Sequence, residues 1–219
     1  MTLSLGHDDI IRRNGVYRPV GSFAAQLSTG AVTGIAAATA TAGQLLCLRW
    51  SSASRNMYLR YLGARFITTT AFGTAQEVGC DLILASAFTV NGTNGTAVDL
   101  GSTTAATGKL RETFAKSGVI AGACRVAGTA AITAGTHTLH ANPVGRVAGW
   151  SAAIGDVIPS ATRATADTYG VLYDARGGKA APLVFDADSG FVVRNTILMG
   201  ATGVGRWDFL MIWDEGTDA

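Results

Sequence analysis

The feature that most constrains the fold of this chain is a repetition of short apolar segments separated by breaks rich in Gly, Ser, Thr and Asn. Residues 44–50, 77–85 and 206–214 each alternate with the period of two that a β-strand requires. In the last of these, one face carries Trp207, Phe209, Met211 and Trp213. About eight to ten such segments follow at fairly regular spacing, without a long segment of helical period. The pattern predicts an all-β, antiparallel β-sandwich of jelly-roll-like type.

The domain organisation follows from the same pattern. Residues 1–20 are polar at their start and are predicted to form an extended N-terminal arm, and residues 21–219 a single β-sandwich domain. Residues 51–56 separate two strand patterns and are predicted to form a hairpin turn. The Ala-rich stretch 31–42 is the one rival helix, but its Thr and Gly residues weaken that interpretation. Residues 77–85 are interpreted as a half-buried strand.

Charge limits the classes of partner. Charged residues make up 15% of the chain, against about 25% in an average domain, so much of the surface is expected to face copies of this chain or another protein. The formal net charge is +2 and the positive residues are scattered. Because a nucleic-acid-binding protein normally carries a basic stripe, we expect no nucleic-acid partner. No apolar run approaches the roughly 18 residues of a membrane helix, so no membrane partner is expected either.

Three cysteines, Cys47, Cys80 and Cys124, are an odd number without CxxC spacing. This pattern argues against a disulfide framework and against a zinc site, and it predicts three small buried apolar side chains. The N-terminus carries Asp8 and Asp9 and does not resemble a signal peptide. We therefore expect synthesis in a reducing, cytoplasmic compartment.

Each motif with catalytic or metal-binding potential has a simpler interpretation. His137 and His140 are three residues apart in a predicted strand, where they point to opposite faces, so no metal site is expected. Asp186 and Asp188 lie in a turn without the twelve-residue calcium pattern. The Gly-rich run 200–205 lacks the Lys-Ser/Thr of a phosphate loop. The sequence predicts neither an enzyme nor a cofactor, although paired carboxylates from distant strands stay possible.

The aromatic residues leave two interpretations open. Trp207 and Trp213 share a predicted face with Phe209 and are interpreted first as core, because each ring buries a large area. The alternative is a subunit contact, since Trp is enriched in interface hot spots, and an aromatic sugar-binding platform is a third interpretation. The residues that we expect at an interface are Tyr17, Arg18, Trp50, Trp150, Trp207 and Trp213.

Five short phrases are LLCLRW at 45–50, YLRYL at 58–62, TAFGTAQEVG at 70–79, GFVVRN at 190–195 and GVGRW at 203–207. Together they resemble virion structural proteins of tailed bacteriophages. The resemblance implies a β-sandwich or jelly-roll protein on the head or tail of a phage particle. It also implies a trimer or another symmetric ring, and it carries over no catalytic residue.

The leading functional expectation is a capsid decoration (cement) protein that is made in the host cytoplasm and resides in the virion. Its expected partners are copies of itself, as a homotrimer or another symmetric oligomer, and the major capsid protein or another virion protein. The arm is expected to bind a neighbouring subunit. The first alternative is a tail, adaptor or fibre component, and the second is a carbohydrate-binding β-sandwich module.

Overall fold

The computed structural model of the chain describes residues 18–35, 43–101, 108–109, 116–151, 153–159, 169–178 and 180–217. Within these ranges the chain forms fourteen β-strands and one short 3-10 turn at Arg176–Gly178, and none of the described segments is a helix long and apolar enough to cross a membrane. The strands are β1 (Arg18–Ser28), β2 (Gln44–Trp50), β3 (Asn56–Thr70), β4 (Gln76–Val90), β5 (Thr96–Val98), β6 (Gly108–Lys109), β7 (Cys124–Val126), β8 (Thr136–Leu139), β9 (Gly145–Ser151), β10 (Val157–Ile158), β11 (Gly170–Asp174), β12 (Leu183–Phe185), β13 (Ser189–Asn195) and β14 (Val204–Thr217).

The strands form two antiparallel sheets that pack face to face. Sheet A has the order β10-β3-β14-β1-β6, with β11 and β12 also paired with β3, and sheet B has the order β5-β7-β2-β13-β4-β8, with β9 also paired with β4. The pairing is nested, because β1 pairs with β14, β2 with β13, β3 with β10 to β12, and β4 with β8 and β9. A nested hairpin whose first four strands alternate between two sheets has the strand order of a jelly roll. The predicted all-β antiparallel sandwich is confirmed.

Part of the predicted N-terminal arm belongs to the sheet. Residues 1–17, with the interface candidate Tyr17, lie outside the described residues, but β1 begins at Arg18, which pairs with Thr217 of β14. Residues 18–20 are therefore strand and not arm. Of the Ala-rich stretch, residues 36–42 lie outside the described part, and residues 31–35 contain no helical turn.

The hairpin predicted at residues 51–56 is wrong. This segment joins β2 of sheet B to β3 of sheet A, so it crosses from one sheet to the other and does not connect paired strands. The indole Nε1 of Trp50 donates a 2.7 Å hydrogen bond to the carbonyl oxygen of Arg55 and fixes the crossing. The prediction failed because turn-forming residues mark a change of direction and do not specify the strand that pairs next.

The core lies between the sheets and is lined by the aromatic face of β14, as predicted. Trp207, Phe209 and Trp213 have no solvent-exposed surface. The ring of Trp213 stacks on Phe23 of β1 with centroids 5.3 Å apart, and Trp207 lies 5.2 Å from Phe66 of β3. Each buried ring of this size contributes about 1.5–3 kcal/mol relative to an exposed one. The core row of β14 therefore holds the three long strands of sheet A together.

The half-buried strand predicted at residues 77–85 is buried on both faces over most of its length. Val78, Cys80 and Leu82 face the core, as expected, but Asp81 and Ile83 of the opposite face are also buried. Arg146 of β9 covers Asp81, because its Nε donates a 2.6 Å hydrogen bond to Asp81 Oδ1. The alternation of apolar residues identified the core face of β4 correctly, but it did not show that the opposite face is buried as well.

The three cysteines are free and buried, as predicted. Burial raises the pKa of the Cys47 thiol to about 11, and it raises the pKa values of Cys80 and Cys124 as well. Since the thiolate is the reactive form, all three side chains are held in the unreactive protonated state near neutral pH.

We predict that Gly190→Ala destabilises the sandwich. An added Cβ would lie well inside van der Waals contact of the carbonyl oxygen of Leu48, a backbone atom of the adjacent strand β2 that cannot move without disturbing the sheet. The free energy of unfolding, measured by chemical denaturation, should fall by about 1–3 kcal/mol. The matched control is Gly73→Ala in an exposed loop, where the nearest atom is the Thr202 hydroxyl at 3.3 Å. Equal losses in the two variants would contradict this explanation.

Candidate functional site

A row of polar side chains crosses the outer face of sheet A near one end. Asp208 of β14 accepts hydrogen bonds from Ser28 Oγ of β1 at 2.7 Å and from Arg65 Nε of β3 at 3.0 Å. Arg206 lies on the other side of the carboxylate, with Nε 3.4 Å from Oδ1. Because these three groups surround it, Asp208 is buried on the outer face although its neighbours in the row touch solvent.

The same arrangement repeats six residues along the strand. Asp214 accepts hydrogen bonds from Ser22 Oγ of β1 and from Arg60 Nη1 of β3, the latter at 3.2 Å. An irregularity in the β3–β14 register between Ile212 and Trp213 brings Arg60 into line with this second row. Both carboxylates are thus paired with cations and hydrogen-bonded, as buried charges must be. The two rows tie β1, β14 and β3 together, and their acidic groups are engaged in structure.

Two tyrosines lie on the same outer face, each beneath an arginine. The guanidinium of Arg176 lies 3.7 Å from the ring centroid of Tyr61, and that of Arg65 lies 4.9 Å from the ring of Tyr169. Gln26 Nε2 donates to the hydroxyl of Tyr169 at 2.8 Å. Burial raises the pKa of Tyr61. Since a guanidinium occupies a face of each ring, neither presents that face to a sugar.

A buried carboxylate clamps a loop to the end of β14. Glu215 has no exposed surface and accepts hydrogen bonds from Ser117 Oγ at 2.5 Å, from the Gly118 backbone amide at 2.8 Å, and from the indole Nε1 of Trp213 at 3.1 Å. Arg55 Nη1 lies 3.3 Å from Oε2 and supplies the opposite charge. Four donors from three parts of the chain therefore converge on one carboxylate, which holds residues 117–118 against the sandwich.

A cleft of about 590 Å³ adjoins this clamp. Its lining includes Arg55, Lys116 and Asp99, together with the backbone of residues 117–121. The one hydroxyl group in this lining, that of Ser117, is bound to Glu215 and not to a histidine. The charged side chains therefore have structural partners or face solvent, and the described lining holds no pair of nucleophile and base.

The histidine pair is separated in the structure. His137 is half-buried, its ring centroid lies 4.6 Å from that of Phe88, and its Nε2 lies 3.4 Å from Gln44 Nε2. Burial lowers the pKa of His137, whereas His140 is exposed. Within the described ranges, no group of three or more His, Cys, Asp or Glu side chains could hold a metal ion.

The acidic turn and the glycine-rich run have structural roles. Asp188 has a positive φ of 60° and accepts a 2.8 Å hydrogen bond from Arg49 Nη2, which fixes the turn before β13. In the glycine-rich run, the Gly200 amide donates to Gln76 Oε1 at 2.9 Å. Gly205 lacks a side chain where the ring of Phe66 packs. Both motifs serve the fold at strand ends.

The structure separates the six interface candidates. Trp50, Trp207 and Trp213 have no solvent-exposed surface, so these three side chains are core residues and cannot contact a partner on the folded chain. Tyr17 lies outside the described residues, and Arg18 is placed at the start of β1 without a described side chain. Trp150 is 71% exposed on β9. Of the candidates whose side chains are described, Trp150 is the one that a partner can reach.

Trp150 belongs to an apolar end of the sandwich. The three most exposed large apolar side chains of the described residues are Trp150, Ile154 at 69% and Leu198 at 61%. Trp150 lies near the end of β9, opposite Glu77 at the start of β4. Ile154 lies in the β9–β10 connection and Leu198 in the β13–β14 connection. We call the end formed by these three residues and the connections 71–75, 153–156 and 196–203 the apolar pole.

Hydrogen bonds hold the connections of the apolar pole together. The Gly155 amide donates to the carbonyl oxygen of Thr68 at 2.8 Å, which joins the β9–β10 connection to the end of β3. The Gly73 amide donates to Thr202 Oγ1 at 3.2 Å, which joins the β3–β4 and β13–β14 connections. A cleft of about 400 Å³ lies between these two connections and is lined in part by Phe72. Ile154 and Leu198 therefore stand on connections that hydrogen bonds hold in place, and Trp150 stands on β9.

Sequence reasoning missed Ile154 and Leu198. Ile154 is a single apolar residue between Ala and Gly, and Leu198 lies in the short apolar run 197–199. Neither pattern shows whether the side chain turns inward or outward. It also missed Glu215, which lies directly beyond the strand predicted at residues 206–214. A carboxylate directly beyond a row of aromatic residues was the available signal for a buried, hydrogen-bonded group.

Comparison with known proteins does not assign the chain to a family. No family model matches it, and no curated protein sequence matches it.

We predict that Glu215→Gln lowers the stability of the fold. The amide cannot accept all the hydrogen bonds that converge on the carboxylate, and leaving buried donors unpaired costs about 1–3 kcal/mol. The loss should appear in the free energy of unfolding measured by chemical denaturation. Asp188→Asn is the matched control, because its ion pair with Arg49 is half-exposed and contributes about 0–1 kcal/mol. A Glu215→Gln variant as stable as the control would show that the clamp contributes little.

Proposed function

We propose that this chain is a structural subunit of a tailed-phage particle and acts as a capsid decoration protein that binds and braces the major capsid lattice. The observation that supports the proposal best is the apolar pole, where Trp150 is exposed on β9 and Ile154 and Leu198 are exposed on connections held by hydrogen bonds. Large exposed apolar groups clustered on a folded surface indicate an interaction site.

The energetics of such a surface suit repeated binding to a lattice. Trp is the residue most characteristic of interface hot spots, and burial of a ring of this kind removes about 150–250 Å² from water. A standard interface buries about 800 Å² on each partner, so the pole would be the centre of a larger contact. Repetition over a symmetric lattice then multiplies a modest affinity through avidity. The low charge of the chain, 15% of residues, fits a surface that is largely covered in an assembly.

A tail, adaptor or fibre position in the same particle would use the same surface. Immunogold labelling of particles of the encoding phage, purified on a density gradient, distinguishes these positions. We expect label over the whole head. Label at the tail vertex only would contradict the decoration function and support a tail position. Particles without label, or without this chain in their mass spectrum, would contradict both the decoration and the tail function.

We predict that Trp150→Ala reduces the occupancy of the chain on particles without changing its stability. Because the side chain is exposed, the free energy of unfolding should change by no more than about 0.5 kcal/mol. Loss of a hot-spot side chain should weaken binding by about 2 kcal/mol or more, a factor of about thirty in affinity. The matched control is Val184→Ala, which removes another exposed apolar side chain from β12, on sheet A. Occupancy is measured by quantitative gel analysis of purified particles. Equal occupancy of the two variants would show that the apolar pole is not part of the binding surface.

A further inference from the structure

We propose that the N-terminal arm, residues 1–17, binds the apolar pole of a neighbouring copy of this chain. The inference rests on the proposed function, because it names the contact through which the subunits assemble. Three observations carry it: the chemistry of the pole, the composition of the arm, and the end of the sandwich from which the arm departs.

The pole is apolar and carries negative charge only. Its three connections, together with Trp150 and the cross-strand neighbour Glu77, hold two carboxylates, Glu77 and Asp156, and no Lys or Arg among the described residues. Trp150, Ile154 and Leu198 supply the exposed apolar area. Two such poles facing each other would bring carboxylates of like sign together, which disfavours a symmetric pole-to-pole contact. An occupant of this surface should offer apolar side chains next to positive charge.

The arm also carries Asp8 and Asp9, and its segment 10–13 has that composition. Ile10 and Ile11 are followed directly by Arg12 and Arg13, the only adjacent pair of basic residues in the chain. Two β-branched apolar side chains match an apolar surface, and the guanidinium groups match its carboxylates and can stack on the indole of Trp150. The segment 10–13 therefore complements the pole in both apolar character and charge.

The arm departs from the opposite end of the sandwich. Arg18, the first residue of β1, pairs with Thr217 at the end of β14, whereas Ser28 at the other end of β1 pairs with Asp208 near the start of β14. Val204, the first residue of β14, adjoins the β13–β14 connection of the pole. The full length of β1, 11 residues, thus separates the start of the arm from the pole. At about 3.3 Å per residue, this length is about 33 Å.

The reach of the chain decides between a contact within one copy and a contact between copies. Fully extended, the eight residues from Tyr17 back to Ile10 span at most about 29 Å. This is shorter than β1, and the chain would also have to reverse direction at Arg18. Residues 10–13 of one copy therefore cannot reach the pole of the same copy, and the contact must join two copies.

A contact between one end of a copy and the opposite end of the next is heterologous. Such contacts close into a ring when the rotation between subunits permits it. The inference therefore gives the symmetric oligomer expected from the sequence a specific physical link, an arm passed from each subunit to the next.

The experiment uses two full-length variants, Ile11→Cys and Leu198→Cys, mixed and treated with a short bis-maleimide cross-linker. Leu198 is 61% exposed and lies outside the core. The native cysteines Cys47, Cys80 and Cys124 are buried, so their thiols do not compete. We expect a covalent dimer of the two variants in a yield about tenfold or more above that of the control pair, because docking raises the effective concentration of the thiols. The control pairs Ile11→Cys with Val184→Cys, a comparably exposed site outside the pole.

Each other outcome overturns the inference. A yield no higher than the control shows that the arm does not bind the pole. Cross-linking of Leu198→Cys with itself, without the mixed product, shows that the pole binds a second pole. A product formed within single chains of a double variant at high dilution shows that the contact is intramolecular. A melting temperature equal to that of the unmodified chain confirms that each variant is folded.

The same variants separate this inference from the proposed function. If the chain decorates phage heads but the mixed cross-link is absent, another virion protein covers the pole, and the arm inference fails while the function stands. If the cross-link forms but the chain is absent from particles, the phage function fails and the contact between arm and pole stands.

Discussion

The pairing of the C-terminal strand β14 with β1 and β3 is the constraint on which the rest of the structure depends. This strand lies at the centre of sheet A, and its neighbours come from the first third of the chain. Its inward face carries the aromatic row of the core, its outward face carries Asp208 and Asp214, and Glu215 near its end clamps residues 117–118. Until β14 is in place, sheet A has neither its centre nor its polar rows. The fold is therefore highly non-local, a property associated with slow folding.

The buried charges explain how a chain with few charged residues uses them. Asp81, Asp208, Asp214 and Glu215 are all buried, and each is bound by an arginine from another strand or loop. Arginine suits this role because its planar fork satisfies a carboxylate while its stem covers apolar surface. These four acidic groups thus fix strands and loops to one another. The three most exposed large apolar side chains of the described residues, by contrast, lie at the apolar pole.

Sequence patterns were reliable where the two faces of a strand differ in chemistry. The aromatic row of β14 was predicted correctly, because a mistake of one residue would have placed four large apolar side chains in solvent. The connection at residues 51–56 was assigned wrongly, because pairing partners in a jelly roll lie far apart in sequence. The outer face of β4 was expected to be exposed, but Asp81 and Ile83 on this face are buried, and Arg146 of β9 covers Asp81. These errors share one cause, since pairing with or coverage by distant segments leaves no signal in the local sequence.

The sequence by itself determined the all-β class, the antiparallel sandwich, the inward face of β14 and the burial of the three cysteines. These properties follow from local periodicity and composition, because side chains alternate along a strand whatever lies beside it. The tertiary structure alone decided which of the four tryptophans reaches the surface, and it brought Trp150, Ile154 and Leu198 to one end of the sandwich. Exposure depends on which distant segment covers a face, and that is set by the nested pairing of strands and not by any short stretch of sequence.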